Sequence, residues 1–357
     1  MKKVGILTLC GNFNFGNKLQ NYAVVKTLEN MNLSVNTIWI ENANKASNKA
    51  QLKKYYNRIK KDYFTSHKRR KYFIKFNKYL NLKYRLIFNN DFKKVNNKFD
   101  YFVVGSDQVW NYQFANNESF YLLTDSNKNN IAFSASFGID SLPDKLKDTY
   151  KKGLKGFKAI SVREDKGKEI VDELLNNKKT EVLVDPTMML TSSEWDKISN
   201  SPKQMKLLNE KKYILNYFLG DLSDDNLKEI KRVAKENDCE IINILDKKDP
   251  FYNCGPSEFL YLEKNAFLIC TDSFHSSVFA ILYNRPFVIF KRKTDNIANM
   301  YSRIDTLLSK FKLENREFNG KKITKKNMEH DYNKAYEILE CERNKALKFL
   351  NKAFDIK

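Results

Sequence analysis

The first half of the chain alternates between short apolar runs and stretches of helical periodicity. The run Val4–Leu9 ends at Gly11, and after it leucine, tyrosine and alanine recur three and four positions apart. A second apolar run, Ser34–Ile40, follows. Strand, helix and strand in this order are typical of a parallel sheet. The later runs that we predict as strands are 101–104, 130–133, 159–162 and 181–184.

The same alternation begins again after a polar stretch near residue 200. The predicted strands are 213–218, 240–244, 267–270 and 286–290, and the predicted helices are 224–237 and 257–264. A chain of 357 residues usually divides into two domains. We therefore predict an α/β protein with two Rossmann-like domains, 1–195 and 205–322. One long amphipathic helix within 323–357 is expected to pack back on the body.

Residues 43–98 differ from the rest of the first domain in charge. They hold 18 lysines and arginines and two aspartates, and so carry most of the formal net charge of +21. We recognise no strand alternation there and expect basic amphipathic helices inserted between strands. Such helices either lie on anionic lipid headgroups or present a solvated face while their aromatic residues pack inward. Nucleic acid is not an expected partner, because no nucleic-acid-binding motif accompanies the charge.

The sequence lacks the signatures of several protein classes. It has no apolar run long enough to cross a membrane, and its five cysteines include no CxxC pair. It contains no dinucleotide-binding, P-loop, HExxH or GxSxG motif, and its three histidines are far apart. We therefore expect no bound metal and a cytoplasmic location with reduced thiols.

The segment Gly105–Asn111 is the first candidate for an active site. It follows the predicted strand 101–104 and brings Ser106, Asp107, Gln108 and Trp110 to the carboxyl end of the sheet. Open α/β sheets bind their ligands at this end. The alternative interpretation is a turn in which the aspartate caps a helix and the tryptophan fills the core.

The segment Cys270–Val278 is the second candidate. It leads from a predicted strand into a helix that begins near His275, with Asp272 and Ser273 in the position of caps. A helix N-terminus attracts anions, and a histidine there is suited to acid or base catalysis beside a phosphate or carboxylate. A single histidine is also commonly structural, so both interpretations stay open.

Cations add to these candidates. Arg163 directly follows a predicted strand, and its planar guanidinium suits a carboxylate or phosphate ligand. Its alternative partners are Glu164, next to it, and Asp185, which follows the next strand. Lys291 and Arg303 come after the last predicted strand and are further candidates for the same cleft.

Taken together and in this order, these segments resemble the polysaccharide pyruvyl transferase family. The most specific blocks are Gly105–Asn111 and Thr271–His275, and the others are 11–23, 134–138, 161–164, 184–187 and 302–304. The resemblance implies a fold like that of GT-B glycosyltransferases, with the active site between two Rossmann-like domains. It also implies transfer of a pyruvyl group from phosphoenolpyruvate to two hydroxyls of a sugar, which forms a cyclic ketal. The acceptor is a cell-surface polysaccharide or its lipid-linked precursor.

The resemblance implies roles for individual residues. His275 is expected to be the acid/base, and Asp107 the second catalytic residue, which orients sugar hydroxyls together with Gln108. The anionic groups of phosphoenolpyruvate, which is a co-substrate and not a cofactor, are expected on Arg163, Lys291 and Arg303. The remaining candidates for substrate binding are Asn14, Gln20, Ser106, Trp110, Asp272 and Ser273.

The chain departs from the family at one position. Many members have an arginine two residues before this histidine, whereas this chain has Ser273 there. We expect Arg303 to supply the missing cation. The competing hypothesis is a GT-B glycosyltransferase that uses a nucleotide sugar. Expected partners are phosphoenolpyruvate and a glycan or lipid-linked saccharide acceptor, with peripheral contact to the inner face of the cytoplasmic membrane through residues 43–98.

Overall fold

The computed structural model of this protein describes residues 1–40, 66–86, 92–113, 121–177, 179–292 and 301–356. Within these residues two parallel β-sheets are flanked by helices that bury hydrophobic side chains against them. This architecture confirms the predicted α/β fold with two Rossmann-like units. Of the basic segment 43–98, residues 43–65 and 87–91 lie outside the described residues.

The first sheet has seven described strands in the spatial order β3-β2-β1-β4-β5-β6-β7. Every residue of its central strand β4 is buried, because a parallel sheet is covered on both faces. The sequence predicted six of these strands to within two residues at each end. The strands are β1 (Lys3–Leu7), β2 (Ser34–Ile40), β3 (Leu82–Leu86), β4 (Tyr101–Val104), β5 (Asn129–Ala135), β6 (Phe157–Val162) and β7 (Glu181–Val182).

The second sheet has four described strands in the order β11-β10-β8-β9. Its central strand β10 pairs with β8, and the last pair in this register is Thr271 with Tyr217. The segment that carries His275 therefore leaves the sheet beside Tyr217. The strands are β8 (Lys212–Tyr217), β9 (Cys239–Asn243), β10 (Leu268–Thr271) and β11 (Phe287–Ile289).

The α-helices lie between and beside these strands. None of the described helices is both long and apolar enough to cross a lipid bilayer. The helices are α1 (Phe15–Asn30), α2 (66–76), α3 (Phe92–Asn96), α4 (Asp144–Leu154), α5 (Asp165–Leu175), α6 (Ser192–Asp196), α7 (Asp224–Glu236), α8 (Pro256–Asn265), α9 (Phe274–Leu282), α10 (Ser302–Phe311), α11 (Lys325–Met328) and α12 (Asn333–Ala353).

The prediction of a purely helical insertion is wrong at β3, which lies within residues 43–98. β3 pairs in parallel with β2 and forms the edge of the first sheet. Its sequence, Leu82-Lys83-Tyr84-Arg85-Leu86, alternates apolar and cationic residues with the period of a strand. The strand was difficult to recognise because its two cationic residues resemble the many other cations of this basic segment.

The prediction of one continuous C-terminal helix is also wrong. α11 ends at Met328 and α12 begins at Asn333. The Arg316 guanidinium donates hydrogen bonds to the carbonyls of Asn327 and Glu329 at 2.9 and 2.7 Å. Those carbonyls would otherwise accept from the next helical turn, so the helix is interrupted at this point.

α12 joins the two domains. In its first half Ala335 and Leu339 pack into the core that α9 and α10 share. In its second half Ala346 and Leu350 pack with the side chains of β1 and α1 in the first domain. Between them, Arg343 donates hydrogen bonds to main-chain carbonyls of the segment that follows β7. The C-terminal helix therefore packs across both domains.

α2 also joins the two domains, through one buried cation. The guanidinium of Arg69 lies 4.5 Å from the ring centroid of Phe15 and 4.9 Å from that of Tyr252. It donates hydrogen bonds to the carbonyls of Ile244 and Tyr252 in the second domain and of Phe13 in the first. Part of the basic run in the predicted insertion is therefore an interdomain contact rather than a surface charge.

We predict that Arg69→Ala lowers the free energy of unfolding by about 3 kcal/mol, because it removes charged hydrogen bonds and leaves a buried cavity. Arg70 lies next to it on the exposed face of α2. Arg70→Ala is the matched control and should change the stability by less than about 0.5 kcal/mol. Urea unfolding followed by circular dichroism measures both. Equal effects of the two substitutions would contradict the interdomain role of Arg69.

Candidate active site between the domains

His275 belongs to the second domain but contacts the first. It lies in the first turn of α9, and its ring rests on Gly16 in the first turn of α1. A Cβ atom at Gly16 would lie 2.2 Å from Nδ1 of the imidazole, so only glycine leaves room for the ring. The His275 side chain is buried, and its Nε2 atom has no hydrogen-bond partner.

A buried carboxylate faces this imidazole. Asp185 lies just beyond β7, and its Oδ2 atom accepts hydrogen bonds from Ser106 Oγ and Arg163 Nη1, each at 2.6 Å. Its Oδ1 atom accepts from the backbone N–H and the hydroxyl of Thr187 at 2.9 and 2.6 Å. The Nε2 atom of His275 lies 3.7 Å from Oδ2. Four donors thus fix the carboxylate in one orientation.

The surroundings of Asp185 favour its charged form in spite of its burial. Burial opposes the charge, but the facing His275 and the cation of Arg163 outweigh it and hold the pKa of the carboxyl well below its ordinary range. The Asp185 carboxylate thus lies within reach of one imidazole and one guanidinium.

Arg163 is the cation at the centre of the cluster. It directly follows β6, and its guanidinium lies 4.4 Å from the ring centroid of Phe274. Burial opposes its charge, but the carboxylates of Asp185, Asp107 and Glu164 raise its pKa. The Nε and Nη2 atoms are buried and make no hydrogen bond, although Nη2 lies 3.7 Å from Asp107 Oδ1. The predicted pairing with Asp185 is thus present, and two donor atoms of the guanidinium remain unused.

Asp107 occupies a left-handed turn at the end of β4. Its φ is 79°, a conformation that aspartate tolerates better than most residues. The carbonyl of Asp107 accepts from the backbone N–H of Ser136, and an isolated bridge pairs the residue with Ala135. The turn is therefore fixed to the end of β5, with the carboxylate beside Arg163.

The amide of Gln108 rests on a second glycine. Gly138 has a φ of 59°, and a Cβ there would lie 2.0 Å from Gln108 Nε2. Glu164 fixes this loop, because its Oε1 atom accepts from the backbone N–H groups of Phe137 and Gly138 and from the hydroxyl of Ser136. The Nε2 atom of Gln108 is buried without a hydrogen-bond partner.

Arg303 reaches the same cluster from α10. It is buried, and burial followed by the nearby charge of Arg163 lowers its pKa to about 10, while Glu164 and Asp107 act in the opposite direction. Two guanidinium groups thus lie close together in one buried site. Such a pair is suited to a ligand with more than one negative charge.

Three predicted ligand residues have other surroundings. Both carboxylate oxygens of Asp272 are occupied, by the backbone N–H groups of Leu219 and Gly220 and by Arg292. Trp110 lies in the core of the first domain, where its indole N–H donates to the carbonyl of Tyr121. Lys291 is largely exposed and forms an ion pair with Glu317 at 2.7 Å. Each of these three side chains thus has a hydrogen-bond or ion-pair partner outside the cluster around His275.

The other predicted residues hold the segments around the site. Asn14 caps α1 by accepting the backbone N–H of Asn17. Ser273 is the cap residue of α9 and makes no side-chain capping bond. Gln20 donates to the hydroxyl of Thr8, which in turn donates to the carbonyl of Ser106, so these two side chains connect α1 and β1 to the turn after β4.

Buried polar atoms without partners gather at this place. They belong to side chains from both domains, on α1, α9 and the segments after β4 and β6. A buried polar group normally has a partner, so a cluster of unused ones indicates a site for a polar ligand. The atoms are Gln20 Oε1, Gln108 Nε2, Arg163 Nε, Arg163 Nη2, Glu164 Oε2 and His275 Nε2.

No group of three or more histidine, cysteine, aspartate or glutamate side chains in the described part of the chain is arranged to hold a metal ion. A separate groove of about 280 Å³ lies between β6 and α12. Its lining includes Phe157, Leu175 and Phe349, and none of its lining residues has a buried polar side-chain atom without a partner. The cluster around His275 is therefore the better candidate site.

Sequence reasoning missed what Asp185, Glu164 and Gly16 do. The sequence suggests Asp185 and Glu164 as partners of Arg163. It does not show that Asp185 faces the imidazole or that Glu164 holds the loop of Gly138, and it assigns no role to Gly16. The sequence signal was present in the blocks 184–187, 161–164 and 11–23, but which of their residues meet depends on contacts across the domain seam.

The fold has solved relatives of low sequence identity. UDP-GlcNAc 2-epimerase from Neisseria meningitidis, bound to UDP-GlcNAc, is 12% identical with a TM-score of 0.55, covering 99% of this chain and 100% of its own. UDP-N-acetylglucosamine 2-epimerase from Rickettsia bellii is 14% identical with a TM-score of 0.53, covering 99% and 97%. These likenesses confirm the GT-B-like fold. No curated protein matches the sequence significantly.

The sequence model of one family matches most of the chain. It is described as polysaccharide pyruvyl transferase and matches residues 14–294, a range that includes the segments of Asp107, Arg163, Asp185 and His275. The chain belongs to the polysaccharide pyruvyl transferase family.

Proposed function

We propose that this protein transfers the pyruvyl group of phosphoenolpyruvate to two hydroxyls of a sugar in a surface polysaccharide or its lipid-linked precursor. The observation that supports this proposal is the cluster of unused buried donors beside two guanidinium groups and one imidazole. Phosphoenolpyruvate carries a carboxylate and a phosphate on a small carbon frame. Arg163 and Arg303 offer one guanidinium for each of these groups.

The chemistry requires an acid at one carbon of the donor. In our proposal, Nε2 of His275 gives its proton to C3 of phosphoenolpyruvate, and the positive charge develops at C2. A sugar hydroxyl attacks C2 and its proton returns to the imidazole. The C2–O bond to phosphate then breaks, and the phosphate leaves with the electron pair. The second hydroxyl closes the ketal, and its proton leaves with the phosphate.

In our proposal, Asp107 and Gln108 bind the acceptor. A carboxylate accepts hydrogen bonds from hydroxyls, and the Gln108 amide supplies a donor that no protein group uses. The Asp107 carboxylate also favours the positive charge that develops at C2. Two hydroxyls of one sugar, held beside these side chains, would attack in turn.

The first test is turnover of phosphoenolpyruvate with a panel of synthetic and lipid-linked glycosides. We expect phosphate release together with the mass gain of a pyruvyl ketal on one acceptor, and a loss of at least about 100-fold in His275→Gln, because general acid catalysis contributes about that much. Mass spectrometry and phosphate detection measure the two products. Selective binding of UDP-GlcNAc, with no turnover of phosphoenolpyruvate, would instead support the glycosyltransferase hypothesis.

The sequence predicts both Arg303 and Lys291 as ligands of the anionic donor, and of the two Arg303 is the buried side chain near Arg163. We expect Arg303→Met to raise the KM for phosphoenolpyruvate about 10-fold or more, because a buried guanidinium is lost. The exposed Lys291 already pairs with Glu317, so Lys291→Met should change that KM less than about twofold. Steady-state kinetics at constant acceptor concentration measure both. Equal effects of the two substitutions would remove Arg303 from the donor site.

We also propose that the exposed face of α2 contacts anionic lipid on the cytoplasmic side of the membrane, where a lipid-linked acceptor would reside. Lys68, Arg70, Lys71 and Lys75 are exposed on this helix, and Ile74 among them is 48% exposed. Each cation at an anionic surface contributes about 1 kcal/mol, and an apolar side chain between cations favours the headgroup region.

Vesicle binding tests this contact. We expect the triple substitution Lys68→Gln, Lys71→Gln and Lys75→Gln to weaken co-sedimentation with phosphatidylglycerol vesicles by about 100-fold at low salt. The control triple, Lys145→Gln, Lys152→Gln and Lys155→Gln, removes the same charge from exposed positions in and just after α4. If both triples weaken binding equally, net charge and not the α2 face controls the contact. Arg69 is left intact because it is buried.

A further inference from the structure

We propose that Asp185 is the positioning residue of His275, a role that rests on the proposed function of this imidazole as the acid. Its carboxylate keeps the proton on Nε2 and directs that atom toward the cluster of Arg163 and Asp107. Asp185 itself does not touch the substrate in this proposal.

Nε2 is the nitrogen of the His275 ring that carries out the chemistry in this proposal. Nδ1 of His275 lies against Gly16, where a single additional carbon would clash. Nε2 lies on the side of Asp185 and Arg163 and has no hydrogen-bond partner. Nε2 is therefore the atom that is free to deliver a proton.

Asp185 attracts a proton on Nε2 of His275 without forming a short hydrogen bond with it. The distance of 3.7 Å from Nε2 to Oδ2 is an ion-pair distance and is too long for a good hydrogen bond. The negative charge of the carboxylate attracts an N–H proton on Nε2 at this range. Arg163 shares the same carboxylate oxygen, at 2.6 Å, and so limits how strongly the carboxylate attracts it. The carboxylate thus orients the N–H group without forming a direct hydrogen bond with it.

The Asp185 carboxylate is fixed in place, and its surroundings favour the charged form. Its two oxygens accept four hydrogen bonds, from Ser106, Arg163 and Thr187, and the charge network holds it ionised. The other charged groups near this pair are Asp107, Glu164 and Arg303, which lie beside Arg163. The first turn of α1 faces the ring with the uncharged Gly16. Asp185 is thus the fixed negative charge that lies nearest to the working nitrogen.

The chain has three histidines, so imidazole nitrogens labelled with ¹⁵N give a spectrum simple enough to assign with His275→Gln. We expect Asp185→Asn to shift the His275 nitrogen signals at one fixed pH, because the ring loses the charge that faces Nε2 within 4 Å. The control Asp144→Asn removes an almost fully exposed carboxylate of α4 and should leave these signals unchanged. Unchanged His275 signals in folded Asp185→Asn would overturn the proposal.

A second variant covers the case in which Asp185→Asn does not fold. Ser106→Ala removes one hydrogen bond from the oxygen that faces the imidazole and keeps the charge, so the His275 signals should shift in this variant too. No shift there would also overturn the proposal. The spectra need no substrate, so shifted signals without pyruvyl transfer would refute the proposed function alone. Pyruvyl transfer with unshifted signals would refute the positioning role alone.

Discussion

The carboxylate of Asp185 is a negative charge in the interior, at the junction of two domains, and such a charge is stable only when it is paired and hydrogen-bonded. Thr187 supplies two of the hydrogen bonds, and three other side chains that face the carboxylate belong to the candidate site. Ser106 comes from the end of β4, Arg163 from the end of β6, and His275 from the first turn of α9. The contacts of this one carboxylate thus bring the ends of strands β4 and β6 and the first turn of α9 to a common point between the two domains.

The two domains are held together around this point by hydrophobic packing as well as by charge. Phe15 stacks on Phe259 of the second domain with ring centroids 4.4 Å apart, and it contacts Phe73 of α2 and Tyr217 at the end of β8. The next residue, Gly16, receives the His275 ring. The first turn of α1 therefore contacts the second domain and seats the imidazole at the same time, which holds the imidazole close to Arg163 of the first domain.

The cations of the candidate site come from segments that are far apart in the sequence. Ser273, two residues before His275, is uncharged and buried. Arg303 enters the cluster from α10, and its pKa is lowered by burial and then by the nearby charge of Arg163. The second cation of the site is therefore distant from Arg163 in sequence and near to it in space.

The sequence by itself determined the elements and the family. Strands such as Tyr101–Val104 are apolar because both faces of a parallel sheet are buried, and this leaves a signal that needs no tertiary information. The blocks around Asp107 and His275 identified the family for the same reason, since each is a contiguous stretch of residues. Prediction failed where the local signal was mixed. At β3 the cationic residues Lys83 and Arg85 resemble the rest of a basic segment, and at the break before α12 the cause is Arg316, which lies outside the helix.

Only the tertiary structure decided which of the candidate residues meet. Asp272, Trp110 and Lys291 carry plausible chemistry, yet their partners are a backbone loop, a hydrophobic core and a surface glutamate. Asp185 and Gly16 gave weaker sequence signals, yet they contact the imidazole. The sequence determines which chemical groups are present and in what order along the chain. Whether a charge has a partner, or a ring has room, depends on distances between segments that folding brings together.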